Sequence, residues 1–118
     1  MAGNLDSQSF HTIDGALQLR GGFYSATLSG DVTLDLSYGN FLVLDPGGSA
    51  RNVDFVAAHE VDGAFYFVRN AADAAENLVL RDSADATIAT LNQNEAAVVA
   101  YTGSAWILPL GVLTVALS

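Results

Sequence analysis

The stretch Val32-Thr33-Leu34-Asp35-Leu36-Ser37-Tyr38-Gly39-Asn40-Phe41-Leu42-Val43-Leu44 decides the fold class. Apolar and polar residues alternate strictly from Val32 to Tyr38, the period of a strand that carries Val32, Leu34, Leu36 and Tyr38 on one face. Gly39 and Asn40 both tolerate positive φ, and a new apolar run starts at Phe41, so the pair reads as a tight β-hairpin. Asp45-Pro46-Gly47-Gly48 closes the second strand, because proline fixes φ and glycine accepts the left-handed conformation a turn requires.

The same punctuation runs on toward the C-terminus. Arg51 to Ala57 predicts a strand, Asp62-Gly63 a turn, and Ala64 to Asn70 a central strand that is aromatic and β-branched on both faces. Ala71 to Glu76 has the alanine content for one helical turn. Leu78 to Arg81, Thr87 to Leu91, Ala96 to Tyr101, Ala105 to Leu108 and Val112 to Leu117 predict further strands between polar or glycine-containing turns. Short apolar runs broken every eight to twelve residues or so indicate an all-β chain, an antiparallel β-sandwich or barrel of about eight strands. Residues 1–22 lack clean periodicity and read as an extended N-terminal arm ahead of a single β domain, 23–118.

A length of 118 residues suits one domain. Apolar residues make up 51% of it and charged residues 14%, with a mean hydropathy of +0.33, greasier than a soluble monomer of this size. No run reaches the roughly 20 apolar residues of a spanning helix; Ala105 to Leu117 is broken by Pro109, Gly111 and Thr114. Met-Ala-Gly-Asn-Leu-Asp at the start has neither the basic region nor the apolar run of a signal peptide, so use without translocation is expected. Cysteine is absent, and four arginines face thirteen acidic residues for a net charge of −9. That charge repels phosphate backbones and anionic lipid, so neither nucleic acid nor a membrane surface is an expected partner.

Runs such as Phe65 to Val68 and Ala96 to Ala100 are apolar on both faces, whereas a monomeric antiparallel sheet keeps one face polar. Cover by a second sheet and by a neighbouring subunit are both expected. Burying Leu108, Leu110, Val112 and Leu113 between subunits would contribute on the order of 6 to 10 kcal/mol per subunit before association entropy is charged.

Chemistry-bearing patterns are sparse. His11 and His59 stand apart from any metal-ligand spacing, and no calcium-loop frame is present. Asp31 with Asp35 and Asp82 with Asp85 are paired acids at positions where aspartate serves strand starts and turns. The chain has no G-x-S-x-G elbow, G-x-G-x-x-G turn or P-loop. Trp106 reads as a core or interface anchor. A non-enzyme without cofactor or metal is expected.

Leu44-Asp45-Pro46-Gly47-Gly48, Gly63 to Asn70, Asn77-Leu78-Val79-Leu80-Arg81-Asp82, Thr87-Ile88-Ala89-Thr90-Leu91 and Asn94 to Trp106 together resemble a β-module recurrent in tailed-phage virion proteins. The resemblance runs from about residue 31 to 110 and rests on short motifs. As a short chain it resembles the capsid decoration, or cement, proteins. The resemblance implies a homotrimer on the outer capsid surface of a virion, made in the host bacterial cytoplasm. Its implied partners are the major capsid protein and itself, and its role is to tie capsomers together against internal DNA pressure. Phe10, His11 and Arg20 in the arm, with Trp106, Leu108, Leu110, Val112 and Leu113, are the expected subunit or capsid contacts. The alternatives are a phage tail-fibre or tail-tip receptor-binding module, a small glycan-active enzyme using Asp31 or Asp35, and a bacterial β-sandwich binding module.

Overall fold

The computed structural model describes residues 14–16, 21–35 and 37–114. Among the described residues ten strands run in chain order: β1 Phe23–Thr27, β2 Val32–Leu34, β3 Phe41–Asp45, β4 Arg51–Phe55, β5 Phe65–Asn70, β6 Leu78–Arg81, β7 Thr87–Leu91, β8 Glu95–Tyr101, β9 Trp106–Ile107 and β10 Val112–Thr114. They form a six-stranded sheet in the order β1-β3-β5-β8-β10, with β9 also on β8, and a four-stranded sheet in the order β2-β4-β6-β7. The two sheets share one core, to which Leu42, Leu44, Tyr66, Val68 and Val99 come from the first and Leu34, Val53, Phe55, Leu78, Leu80 and Leu91 from the second. Each fully buried aliphatic or aromatic side chain contributes roughly 1.5–3 kcal/mol, and they are what holds the layers together.

The chain is all-β as expected, but the expected antiparallel order is corrected. β1, β3 and β5 are parallel to one another, and so are β2, β4 and β6. Successive strands alternate between the sheets, so β1–β2, β3–β4 and β5–β6 stack as three coiled rungs. Antiparallel pairing enters only afterwards, where β7 folds back on β6 and β8 pairs with β5, β9 and β10.

The hairpin expected at Gly39-Asn40 is therefore a crossover from the four-stranded to the six-stranded sheet. The regular strand ends at Leu34, and Asp35 turns the chain by accepting hydrogen bonds from the backbone N–H and hydroxyl of Ser37. Gly39 then presses onto the preceding rung, with the N–H groups of Asn40 and Phe41 both donating to the Gly22 carbonyl. A Cβ at Gly39 would stand 2.5 Å from a Gly22 backbone carbon, and its φ of +79° already excludes most side chains. Gly47 makes the matching approach at the other end of β3, on the carbonyl of Leu28.

The one helical turn expected at Ala71 to Glu76 gives way to bends. Asn70, fully buried, takes over the backbone groups such a turn would use: its Oδ1 accepts from Ala72 N–H at 2.9 Å and its Nδ2 donates to the Glu76 carbonyl at 2.8 Å. The same Nδ2 donates to the Leu91 carbonyl at 2.9 Å, joining β5 of one sheet to β7 of the other. β9 is shorter than expected, and the tail of the expected last strand lies outside the described residues, as does most of the expected arm. No helix among the described residues is long and apolar enough to cross a membrane.

Asn70→Ala leaves three backbone groups around a buried position without partners. A loss of about 3 kcal/mol or more is expected in urea unfolding, with an unchanged slope. A loss under about 1 kcal/mol would mean that water replaces the side chain.

Candidate functional site

Side chains alternate across a strand, so the register that sends one set inward fixes the other set outward. On the four-stranded sheet the outward set is polar: Thr33, Asn52, Asp54, Arg81 and Thr90, with Val79 among them. Arg81 donates to both carboxylate oxygens of Asp54, at 2.7 and 2.9 Å, across β4 and β6.

On the six-stranded sheet the outward set is apolar. Phe23, Phe41 and Phe67 fall in register across β1, β3 and β5, and Val98 continues the row on β8. The rings of Phe41 and Phe67 are stacked at 4.8 Å and 11°, and Phe65 meets Phe67 edge-on at 5.9 Å. Phe65, Ala100 and Ile107 make the adjoining row on one side. Ser25, Val43, Arg69, Ala96 and Leu113 make the row on the other. Between Phe23, Phe41, Phe67, Arg69, Leu110 and Leu113 runs an open groove of about 330 Å³.

Phe23 is 66% exposed, Phe41 37%, Phe65 37%, Phe67 40%, Ile107 45%, Leu110 61% and Leu113 48%. With roughly 200 Å² for a phenylalanine, these uncovered fractions amount to on the order of 600 Å² of apolar surface, the upper end of what a soluble monomer displays. Removing that area from water is worth roughly 15 kcal/mol, against an association cost of about 4–15 kcal/mol. Parallel strands, moreover, are ordinarily covered on both faces.

Of the residues expected at contacts, Leu110 and Leu113 lie on this face. Val112 pairs with Ala97, whose side chain is buried, so Val112 points to the opposite side of the sheet from Leu113. Leu108 packs against the core. Trp106 does so too: it stacks on Phe55 at 4.6 Å, meets Tyr101 edge-on at 5.2 Å and donates from Nε1 to Glu60 Oε2 at 2.8 Å. It is thus a core anchor, the other of its two expected roles. Phe10, His11 and Arg20 lie outside the described residues. The sequence marks Phe65, Phe67 and Val98 only as parts of runs expected to need cover on both faces, and it singles out neither Phe23 nor Phe41 as a contact. The signal for Phe65 and Phe67 was the aromatic content of both faces of Phe65 to Val68; the alignment of Phe23 and Phe41 with Phe67 depends on the rung register.

Asp31, Asp82, Asp85 and His59, singled out in the sequence, have structural partners. Asp31 accepts from the Asn52 backbone N–H at 2.8 Å and from its side-chain amide, which hold the Asp31 carboxyl below the usual range and fasten β2 to β4. Asp82 accepts from the N–H groups of Ala84 and Ala86 in the β6–β7 turn, and Asp85 sits 3.5 Å from Arg81. His59 Nδ1 lies 3.0 Å from the Tyr66 hydroxyl, whose ionisation is pushed up by burial and then by the charge of Asp35, so the phenol keeps its proton. Asp45, Asp73 and Glu76 bring one oxygen each within 4.8 Å of one another at the end of β3. Such oxygens suit a hard cation, and Glu76 Oε1 is buried with no hydrogen-bond partner among the described residues.

Comparison with known proteins returns nothing: no family model, no curated protein and no solved structure matches the chain.

Glu60 ties the Trp106 corner to the β6–β7 turn, accepting from the Ser83 hydroxyl, the Trp106 indole and the Ser83 N–H. The Ser83 hydroxyl first, then the indole, hold its carboxyl below the ordinary 4.5 despite some desolvation. A depressed carboxyl stabilises the fold above its unfolded-state pKa and loses that contribution as pH falls through the folded-state value. Unfolding free energy is therefore expected to fall as the pH drops below about 4.5, with a shallower decline in Glu60→Gln. Equal declines in urea melts of the two proteins between neutral and acid pH would remove Glu60 from the acid response.

Proposed function

We propose that this chain is a capsid decoration protein, a homotrimer that binds the outer surface of a phage head and ties neighbouring copies of the major capsid protein together. The observation that carries the reading is the contrast between the two sheets: one outer face is polar, and the other presents a continuous row of phenylalanines and aliphatics. Such a face suits a protein whose working state is an assembly. The all-β scaffold and the segments that resemble phage virion modules support the same reading.

The work is mechanical. Three linked subunits each grip a different capsid chain, so the second and third contacts form at high effective concentration and the trimer holds where one copy would not. Residues 1–20 serve in this proposal as an arm that reaches along the capsid and orders on binding, at an entropic cost. The excess of acidic residues keeps the free protein soluble before assembly.

Light scattering of the purified chain is expected to give three times 12.3 kDa over a broad concentration range. Binding to heads of the encoding phage that lack this protein is expected at hundreds of sites, with label spread over the head. A persistent monomer, or label confined to the tail tip, would overturn the reading, the latter in favour of receptor binding. Removing residues 1–20 is expected to weaken head binding, and unchanged binding would dismiss the arm.

A further inference from the structure

We infer that the outer face of the six-stranded sheet is the contact between copies of this chain, and that a carboxylate of the adjoining copy pairs with Arg69. The inference rests on the assembly reading above and names the surface that performs it.

Area and permanence choose the occupant. The uncovered apolar surface, on the order of 600 Å², with its polar margin, approaches the roughly 800 Å² that each partner gives to a stable interface. A capsid covers a decoration protein only after the head is built, so a face this apolar needs an earlier partner to keep the free protein from aggregating. A second copy is the one partner present from synthesis onward. Contacts between identical subunits are also the more apolar class of interface, as this face is.

Arg69 supplies the second argument. Its side chain lines the groove, in the row of Val43, Ala96 and Leu113, and its Nε is buried with no hydrogen-bond partner among the described residues. A buried donor without an acceptor is costly, and the described residues of this otherwise apolar groove supply none, so the acceptor is assigned here to the adjoining copy. A copy of a protein with thirteen acidic residues against four arginines carries carboxylates in abundance. The pairing would also fix the register of neighbouring faces gathered around the threefold axis, which apolar packing alone leaves free to slide.

The test uses the absence of cysteine, which makes a single introduced thiol an unambiguous reporter. Phe67→Glu and Arg69→Glu are each expected to raise the dissociation constant of self-association at least a hundredfold by light scattering, while Thr90→Glu, on the polar face, changes it less than twofold. Circular dichroism verifies that each variant is folded. In Ser25→Cys, beside Val43 on the apolar face, thiol labelling is expected to slow at least tenfold as protein concentration rises through association, and in Thr90→Cys to stay constant. An associating wild type whose Phe67→Glu variant stays associated, with Ser25→Cys labelled equally fast throughout, overturns this contact and leaves the decoration reading standing. A monomeric wild type overturns both the contact and the trimer. A Ser25→Cys thiol protected only on bare phage heads overturns the self-contact and assigns the face to the major capsid protein.

Discussion

Everything in this molecule depends on the parallel register of β1, β3 and β5. In a strand the side-chain period is two, so once Leu42, Leu44, Tyr66 and Val68 turn inward, Phe41, Phe65 and Phe67 have no choice but to turn outward. Parallel stacking then places Phe23, Phe41 and Phe67 side by side in one row. A slip of one residue would exchange the two sets and put the phenylalanines in the core. The core, where leucines from the opposite sheet complete the packing, holds the register in place.

Coiling the chain between two sheets creates a demand that hairpins do not. Each crossover has to pass over the rung before it, and the close approaches fall at Gly39 on Gly22 and at Gly47 on the Leu28 carbonyl. The end of the coil is closed by different means. Asn70 satisfies two backbone groups of the β5–β6 loop and one of β7, so the last parallel strand of the larger sheet is tied to an antiparallel strand of the smaller one. The Glu60 contacts to Ser83 and Trp106 close the neighbouring corner in the same manner, by side chains that stand in for a regular ladder.

The two outer faces divide the labour that follows. Threonine, asparagine and the Asp54–Arg81 pair keep the smaller sheet in contact with water at little cost. The larger sheet gives up solubility on its outer face and concentrates there most of the exposed aromatic surface of the described residues. That arrangement is unfavourable for an isolated monomer and favourable for a subunit. It gives the proposed decoration role a physical basis in surface burial, and it requires no catalytic group.

The sequence by itself determined the all-β class, most strand positions and the excess of apolar surface, because those follow from local alternation, turn residues and composition. Phe65 to Val68 already showed two apolar faces in one strand, and Leu110 and Leu113 were legible as uncovered. It did not determine that the strands are parallel. A glycine at position 39 serves a hairpin and a crossover equally well, and the rungs recur at unequal intervals, so no repeat exposes the coil. Tertiary structure alone decided that Trp106 and Leu108 turn to the core while Phe23 and Phe41 join Phe67 outside. The reason is that which face of a strand is buried depends on where the second sheet lies, and that is a long-range property of the packed chain.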